Sequence, residues 1–414
     1  MSIFGGGMTP TQYYADLNIL NDRFNILNYG AVGDNNTDNT TAIQNSINAA
    51  HAIGGGIVYV PTGIFKTGAL TTYSYVRIVG DGIRNSILRS NSVATMFTCT
   101  ETVYTSWLGF KDIQLDGNNV GTIAYTANLE CDFAVNEIYV RNFTTKGFNL
   151  TGHLIGEFNR CIFQNCGTAF YVIGDNNDAD SNLLSFNGCE FYSNTIWAIQ
   201  LVNGLLLRVN NCDISINGTN GNAATGGVCF TGGKGVPGMN MGLVMRQCWM
   251  ESNYGTLIKI NEPYATHENL SVISNCQLKY NNPVNILVTG ASSKNRLMVE
   301  NSAVDSNITF TIDGALASLI NDKSVISGTV TTTNNAKYFN PVDWNGFFSP
   351  PQLTASLTDD APTQTEINTA TGLTPSTAGA GWQCTIKDNS GTGLVYKIES
   401  DGTYWSYVKL VRSI

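Results

Sequence analysis

Charged side chains are scarce in this sequence, with Asp, Glu, Lys and Arg together making up only 13% of its 414 residues. The net charge of −9 leaves no basic surface to neutralise phosphates, which excludes a nucleic-acid partner held by its backbone. Ten cysteines are present but no CxxC pair, so the spacing of a zinc site is missing and no metal or cofactor is implied. The first residues, Met1-Ser2-Ile3-Phe4-Gly5-Gly6-Gly7, carry no basic region and no long apolar run. No stretch elsewhere is long and apolar enough for a membrane span, so the expectation is synthesis in a cytoplasm without membrane insertion. Helical hydrophobic spacing is absent over most of the chain, which leaves β structure as the main alternative.

What is abundant is a recurring phrase. It reads Arg160-Cys161-Ile162-Phe163-Gln164-Asn165, Gly188-Cys189-Glu190-Phe191-Tyr192-Ser193-Asn194, Asn211-Cys212-Asp213-Ile214-Ser215-Ile216-Asn217, Gln247-Cys248-Trp249-Met250-Glu251-Ser252-Asn253 and Asn275-Cys276-Gln277-Leu278-Lys279-Tyr280-Asn281. A looser copy at Asn301 has Ser302 in place of Cys, and fainter ones begin at Lys111 and Asn136. Counted from 111, 136, 161, 189, 212, 248, 276 and 302, the steps are 25, 25, 28, 23, 36, 28 and 26 residues, a solenoid period. Polar and apolar residues alternate within each copy, as in a strand, and Gly and Asn supply left-handed corners. These features predict a parallel β-helix whose cysteines stack inward as a reduced ladder, since free Cys packs as a small hydrophobe. A second strand per coil is expected at Ala169–Ile173, Ala198–Val202 and Leu257–Ile260.

Ahead of the repeats, Asp38 is placed to cap a helix running through Ile43, Ile47 and Ala50 and ending at Gly54-Gly55-Gly56. Strands at Ile57–Val60 and Ile64–Phe65 follow, and Asp34 and Asp38 read as turn and cap residues. After Pro341 the texture changes: Trp344–Pro351 reads as a linker, and the last residues as two or three strands around an Asp401-Gly402 hairpin. The chain divides into residues 1–22, an attachment segment; 23–340, the β-helix; and 341–414, a small C-terminal β domain.

With the cysteines inward, the residues one and three positions later face out. One row is Ile162, Glu190, Asp213, Trp249, Gln277 and Ala303; the other is Gln164, Tyr192, Ser215, Glu251, Lys279 and Asp305. Two acids and flat aromatic faces are what glycoside cleavage needs, so the candidate catalytic residues are Asp213, Glu251 and Glu190. Glu190 and Asp213 are expected about 5 Å apart in backbone terms, and Asp213 and Glu251 roughly 8 Å apart on a diagonal. Trp249, Tyr192, Lys279, Arg246 and Asp305 are the candidate substrate-binding residues. Other readings are weaker: His267 with Glu268 as a base and its orienter, Asp175, Asp178 and Asp180 as a calcium loop, and Arg160, Arg208 and Arg246 either binding acidic sugars or pairing with Glu157 and its neighbours. Loops of unequal length, at 174–182, 232–238 and 261–269, are expected to wall the groove.

Two stretches resemble known families. Residues 24–65, with Tyr29-Gly30-Ala31-Val32-Gly33-Asp34, the Ala/Ile-rich helix and Gly55-Gly56-Ile57-Val58-Tyr59-Val60-Pro61-Thr62-Gly63, resemble the N-terminal capping segment of the pectate-lyase superfamily. Asp38-Asn39-Thr40 departs mildly from that family's Asp-Asp-Thr. Residues 359–414 resemble the C-terminal modules of bacteriophage tail fibre and tailspike proteins. Together the resemblances imply a right-handed parallel β-helix, all-β, assembled as a parallel homotrimer on a phage tail beside other virion proteins. They imply a tailspike that binds and hydrolyses a bacterial surface polysaccharide as an endo-glycosidase. A polysaccharide lyase, a teichoic-acid-degrading enzyme and a receptor module without turnover are the alternatives.

Overall fold

The computed structural model describes residues 24–100, 109–174, 183–232, 240–263, 268–290, 294–313, 318–322, 324–327, 329–333 and 337–339, and in the C-terminal part 352–355, 362–371, 374–378, 383–388 and 395–410. The attachment segment and the Trp344–Pro351 linker lie outside these residues. Residues 24–339 wind into a right-handed parallel β-helix in which each strand pairs with its counterpart one coil away. No helix among the described residues is long and apolar enough to cross a membrane.

Each coil has three strands rather than two. Sheet 1 includes Leu183–Asn187, Leu206–Asn210, Asn240–Arg246, Glu268–Ser274 and Lys294–Glu300. Sheet 2 consists of short strands such as Ile162–Gln164, Glu190–Tyr192, Asp213–Ser215 and Trp249–Glu251. Sheet 3 includes Thr168–Ile173, Trp197–Gly204, Gly226–Gly232 and Thr256–Glu262. The last set contains the expected second strands; sheet 1, directly ahead of each Cys, is the one not anticipated.

Left-handed residues turn the corners on both sides of sheet 2. Before it stand Arg160, Gly188, Asn211, Gln247, Asn275 and Asn301; after it stand Asn165, Ser193, Ile216, Ser252 and Tyr280, all with positive φ. At the first corner the cysteines are buried and unbonded, and stack in register: the Cys161 amide donates to Cys189 Sγ, Cys189 to Cys212 and Cys248 to Cys276, each at 3.4 Å. Ser302 Oγ continues the ladder at 3.0 Å from the Cys276 amide. At the second corner Asn194, Asn217, Asn253 and Asn281 form a buried ladder, each accepting the backbone amide of its predecessor where one precedes it, at 2.9 to 3.2 Å. Two positions need correction. Ile138 and Ile113, not Asn136 and Lys111, are in register with Cys161, because Tyr139 pairs with both Ile162 and Gln114.

Between the sheets the core is aromatic in its first half. Phe158 stacks on Phe186 with centroids 4.9 Å apart and Phe163 on Phe191 at 5.1 Å, close to the spacing of neighbouring strands. The open first coil is covered by the helix Thr40–Ala52, which buries Ile43, Ser46, Ile47 and Ala50. Asn39 occupies the N-cap position and turns its side chain to Val32, so Asp38 is one residue early. Its Oδ1 accepts the Thr40 amide at 3.0 Å. Asp34 is a turn residue, accepting the amides of Asn36 and Thr37 at 2.8 Å.

The C-terminal part is a separate four-stranded sheet, Gln352–Ala355, Gln383–Asp388, Val395–Ser400 and Trp405–Leu410, with the helix Gln364–Thr371. The Asp401-Gly402 hairpin is present, with Asp401 Oδ1 accepting the amides of Thr403 and Tyr404.

Candidate functional site

Sheet 2 is so short that its strands have one inward and two outward positions. Phe163, Phe191, Ile214, Met250, Leu278 and Val304 fill the core, which forces their neighbours outward. Ile162, Glu190, Asp213, Trp249, Gln277 and Ala303 are successive register partners. Gln164, Tyr192, Ser215 and Glu251 form the second row. The ladder carries this row on to Lys279 and Asp305, whose amides donate to Met250 O at 3.1 Å and Leu278 O at 2.9 Å. Glu190 and Asp213 are therefore neighbours one coil apart, and Glu251 lies diagonally from Asp213.

Glu190 and Asp213 are exposed, Glu251 half-buried, and Tyr192 and Trp249 are each 37% exposed. Ser215 Oγ donates to Asp213 Oδ1, which orients that carboxylate. Asp305 is not free in the same way: its oxygens accept the amides of Tyr280 at 2.9 Å and Ser306 at 2.7 Å, so it braces the corner. Arg246 does not join the row. It is outward on sheet 1, paired with Asn210 and Ser274, on the other side of the Gln247 corner. The insertions at 175–182, 233–239 and 264–267, with Asp175, Asp178, Asp180 and His267, lie outside the described residues; their flanks show that they join sheet 3 to sheet 1 and not to sheet 2. Only the 218–225 insertion of the longest coil borders the carboxylate face, between Asp213–Ser215 and Gly226–Gly232. Arg160 pairs with Glu137, not Glu157.

Sequence reasoning missed three polar groups. Asp116, buried on the second row of sheet 2, accepts from Arg89 Nη2 at 3.2 Å, Arg141 Nη2 at 3.1 Å, Asn142 Nδ2 at 3.0 Å and the Asn118 amide at 2.9 Å. Burial alone raises its pKa, but these hydrogen bonds and the Arg141 charge outweigh it and hold the carboxyl below the usual value. At the corner, burial and the neighbouring Glu137 carboxyl raise Asp112, while the Arg160 hydrogen bond holds Glu137 down. On sheet 3, Lys146 Nζ lies 3.7 Å from the Tyr171 ring centre and bonds Asn149 Oδ1 at 2.6 Å; burial lowers its pKa. No motif in the sequence marks these groups, whose partners are 23 to 27 residues away in all but the most local contacts. Among the described residues no three His, Cys, Asp or Glu are close enough to hold a metal ion.

A three-sheet right-handed solenoid with a capping helix defines the chain as a right-handed parallel β-helix protein. Residues 23–120 match the family model described as rhamnogalacturonase A/epimerase, pectate lyase-like. Over 108 residues, 23% of this chain, it is 40% identical to mannuronan C5-epimerase AlgE3 of Azotobacter vinelandii, and over 112 residues 34% identical to alginate lyase 7 of the same organism. These matches span only 6% and 13% of the relatives' own lengths. Among solved structures the gp42 tailspike of Acinetobacter phage vb_AbaP_AS12 is similar over 94% of this chain and 82% of its own, with a TM-score of 0.58 and 12% identity. ORF18 of Geobacillus virus E2 is similar over 97% and 78%, with a TM-score of 0.55 and 16% identity. The chain thus shares the fold of phage tailspikes from its first described coil into its C-terminal part.

Proposed function

We propose that this chain is a phage tailspike that binds a bacterial surface polysaccharide along the outward face of sheet 2 and cleaves its glycosidic bonds. The observation that carries the reading is the gathering of three carboxylates on adjacent coils beside Trp249 and Tyr192, with Glu190 and Asp213 as register partners and Glu251 one coil on in the neighbouring row. In this reading Glu251 protonates the departing glycosidic oxygen, and Asp213, oriented by Ser215, takes a proton from the water that attacks the anomeric carbon. Their diagonal separation, about 8 Å in backbone terms, leaves room for that water and implies inversion. Glu190, closer to Asp213, is the third member. The likeness to tailspike structures supports placing the protein on a virion tail; neighbouring tail proteins as partners and a homotrimeric assembly belong to the same proposal.

The test is Asp213→Asn, Glu251→Gln and Glu190→Gln, each assayed for new reducing ends released from host glycan. Losses of at least about a hundredfold are expected for the acid and the base, with the melting temperature unchanged. Undiminished turnover in all three variants rules the site out. A second reading, β-elimination, is favoured by Lys146, a half-buried amine on sheet 3, and by the N-terminal likeness to an alginate lyase and to epimerases. It requires an ultraviolet-absorbing unsaturated product that disappears in Lys146→Met and persists in Asp213→Asn.

A further inference from the structure

At the C-terminal end of the sheet 2 face is a recess of about 310 Å³, lined by Lys279, Tyr280, Ala303, Asp305, Val325 and Ser327. Its polar groups are unequally committed. Asp305 is occupied by the two backbone amides described above. The Lys279 ammonium makes no hydrogen bond or ion pair with any described residue, although the residue follows Glu251 by one coil in the same row. From Ile162 to Ser327 the two rows present four carboxylates, Glu190, Asp213, Glu251 and Asp305, and Lys279 is their single cation. The rim is apolar and open: Tyr280 keeps 69% of its surface exposed and Val325 63%.

A partly buried lysine whose ammonium has no partner among the described residues, next to an exposed aromatic residue, suits a ring that is apolar on one face and anionic at one edge. We infer that the recess is a subsite for an acidic sugar residue, whose ring lies on Tyr280 and whose carboxylate is held by Lys279 Nζ. This rests on the reading above, that the polysaccharide lies along sheet 2. On a face otherwise so acidic a polyanionic chain is repelled everywhere but here, so the lysine also sets register. A uronate at Lys279 puts the neighbouring linkage over Glu251 and Asp213, because the coil rise of about 4.8 Å is close to the length of one pyranose unit.

Binding separates this inference from the catalytic one. The full chain carrying Asp213→Asn and Glu251→Gln is titrated with oligosaccharides of polymannuronate, polygalacturonate and hyaluronate, and with the same oligosaccharides after reduction of their carboxyl groups. At least one acidic oligosaccharide is expected to bind about tenfold or more tightly than its reduced form, the range of a charge-assisted hydrogen bond. Lys279→Met should erase that ratio, Lys279→Arg keep most of it, and Tyr280→Ala weaken both forms alike. No preference for the acidic forms, no binding of any of them, or a preference that survives Lys279→Met overturns the subsite. If the acid variants cleave like the original chain while Lys279→Met still erases the preference, the subsite stands and the assignment of the catalytic residues falls.

Discussion

A corner cysteine does two jobs in this molecule, filling the core and closing a hydrogen bond that the left-handed turn leaves open. Cys276 Sγ accepts the Cys248 amide at 3.4 Å and donates to the Ser274 carbonyl at 3.3 Å. One coil on, Ser302 makes the equivalent bonds with oxygen at 3.0 Å and 2.8 Å. An amide buried without a partner costs about 1–3 kcal/mol, so the bond and not the sulfur is what the position requires. Cys276→Ser is therefore expected to stay within about 1 kcal/mol of the original chain and Cys276→Ala to lose about 1–3 kcal/mol, read from urea unfolding midpoints. A serine variant as damaged as the alanine one would show that packing alone is at stake.

At the level of strands, what keeps the short sheet 2 in order is contact from coil to coil, since three-residue strands have few ladder bonds. In the first half of the solenoid Asp116 ties three neighbouring strands together through Arg89 and Arg141. Asp116→Ala leaves two guanidinium groups facing each other, and a loss of about 3 kcal/mol at pH 7 is expected, the lower end for breaking a buried pair because both arginines keep some solvent. The folded-state pKa of Asp116 lies below its ordinary value of 3.8. Its contribution is therefore complete above that value and fades as pH falls through the lower folded pKa, so the gap between original and variant unfolding midpoints should narrow in acid. A gap of constant size would place the effect in packing. Sheet 2 was legible in the sequence because Cys, the apolar residue two positions on and a following Asn mark its corners and its core position in five coils. The Asp116 clamp was not, because residues 89, 116 and 141 meet only through the winding. The same cause hid sheet 1, whose Leu183-Leu184-Ser185-Phe186 pattern is brief and follows an insertion of irregular length. The two faint repeats were misaligned by two residues because Ile113 and Ile138 stand where later coils have Cys.

Over the whole molecule the faces of the solenoid differ in a way that bears on assembly. Sheet 2 presents acids and aromatics, whereas sheet 1 presents an outward row of register partners that runs Ile155, Leu183, Leu206, Gly242, Leu270 and Arg296. Beside it runs a second row that is polar at Glu157, Ser185 and Arg208 and apolar from Val244 through Val272 to Met298. Ile155 is 51% exposed and Leu270 47%, and Leu183 and Leu206 between them are only partly buried, so side chains that favour burial keep contact with water along the row. The proposed trimer gives them a place: three parallel copies with sheet 1 turned to a common axis cover the apolar parts of both rows and leave every sheet 2 face open to glycan. Turning sheet 2 inward instead would bury Glu190, Asp213 and Glu251 and strand their charges. The double variant Ile155→Glu, Leu270→Glu brings like charges together at that axis and should convert trimers to monomers in light scattering after size exclusion, with the β signal in circular dichroism retained. A trimer that survives both substitutions moves the axis to another face, and a chain that is monomeric before any substitution removes the trimer itself.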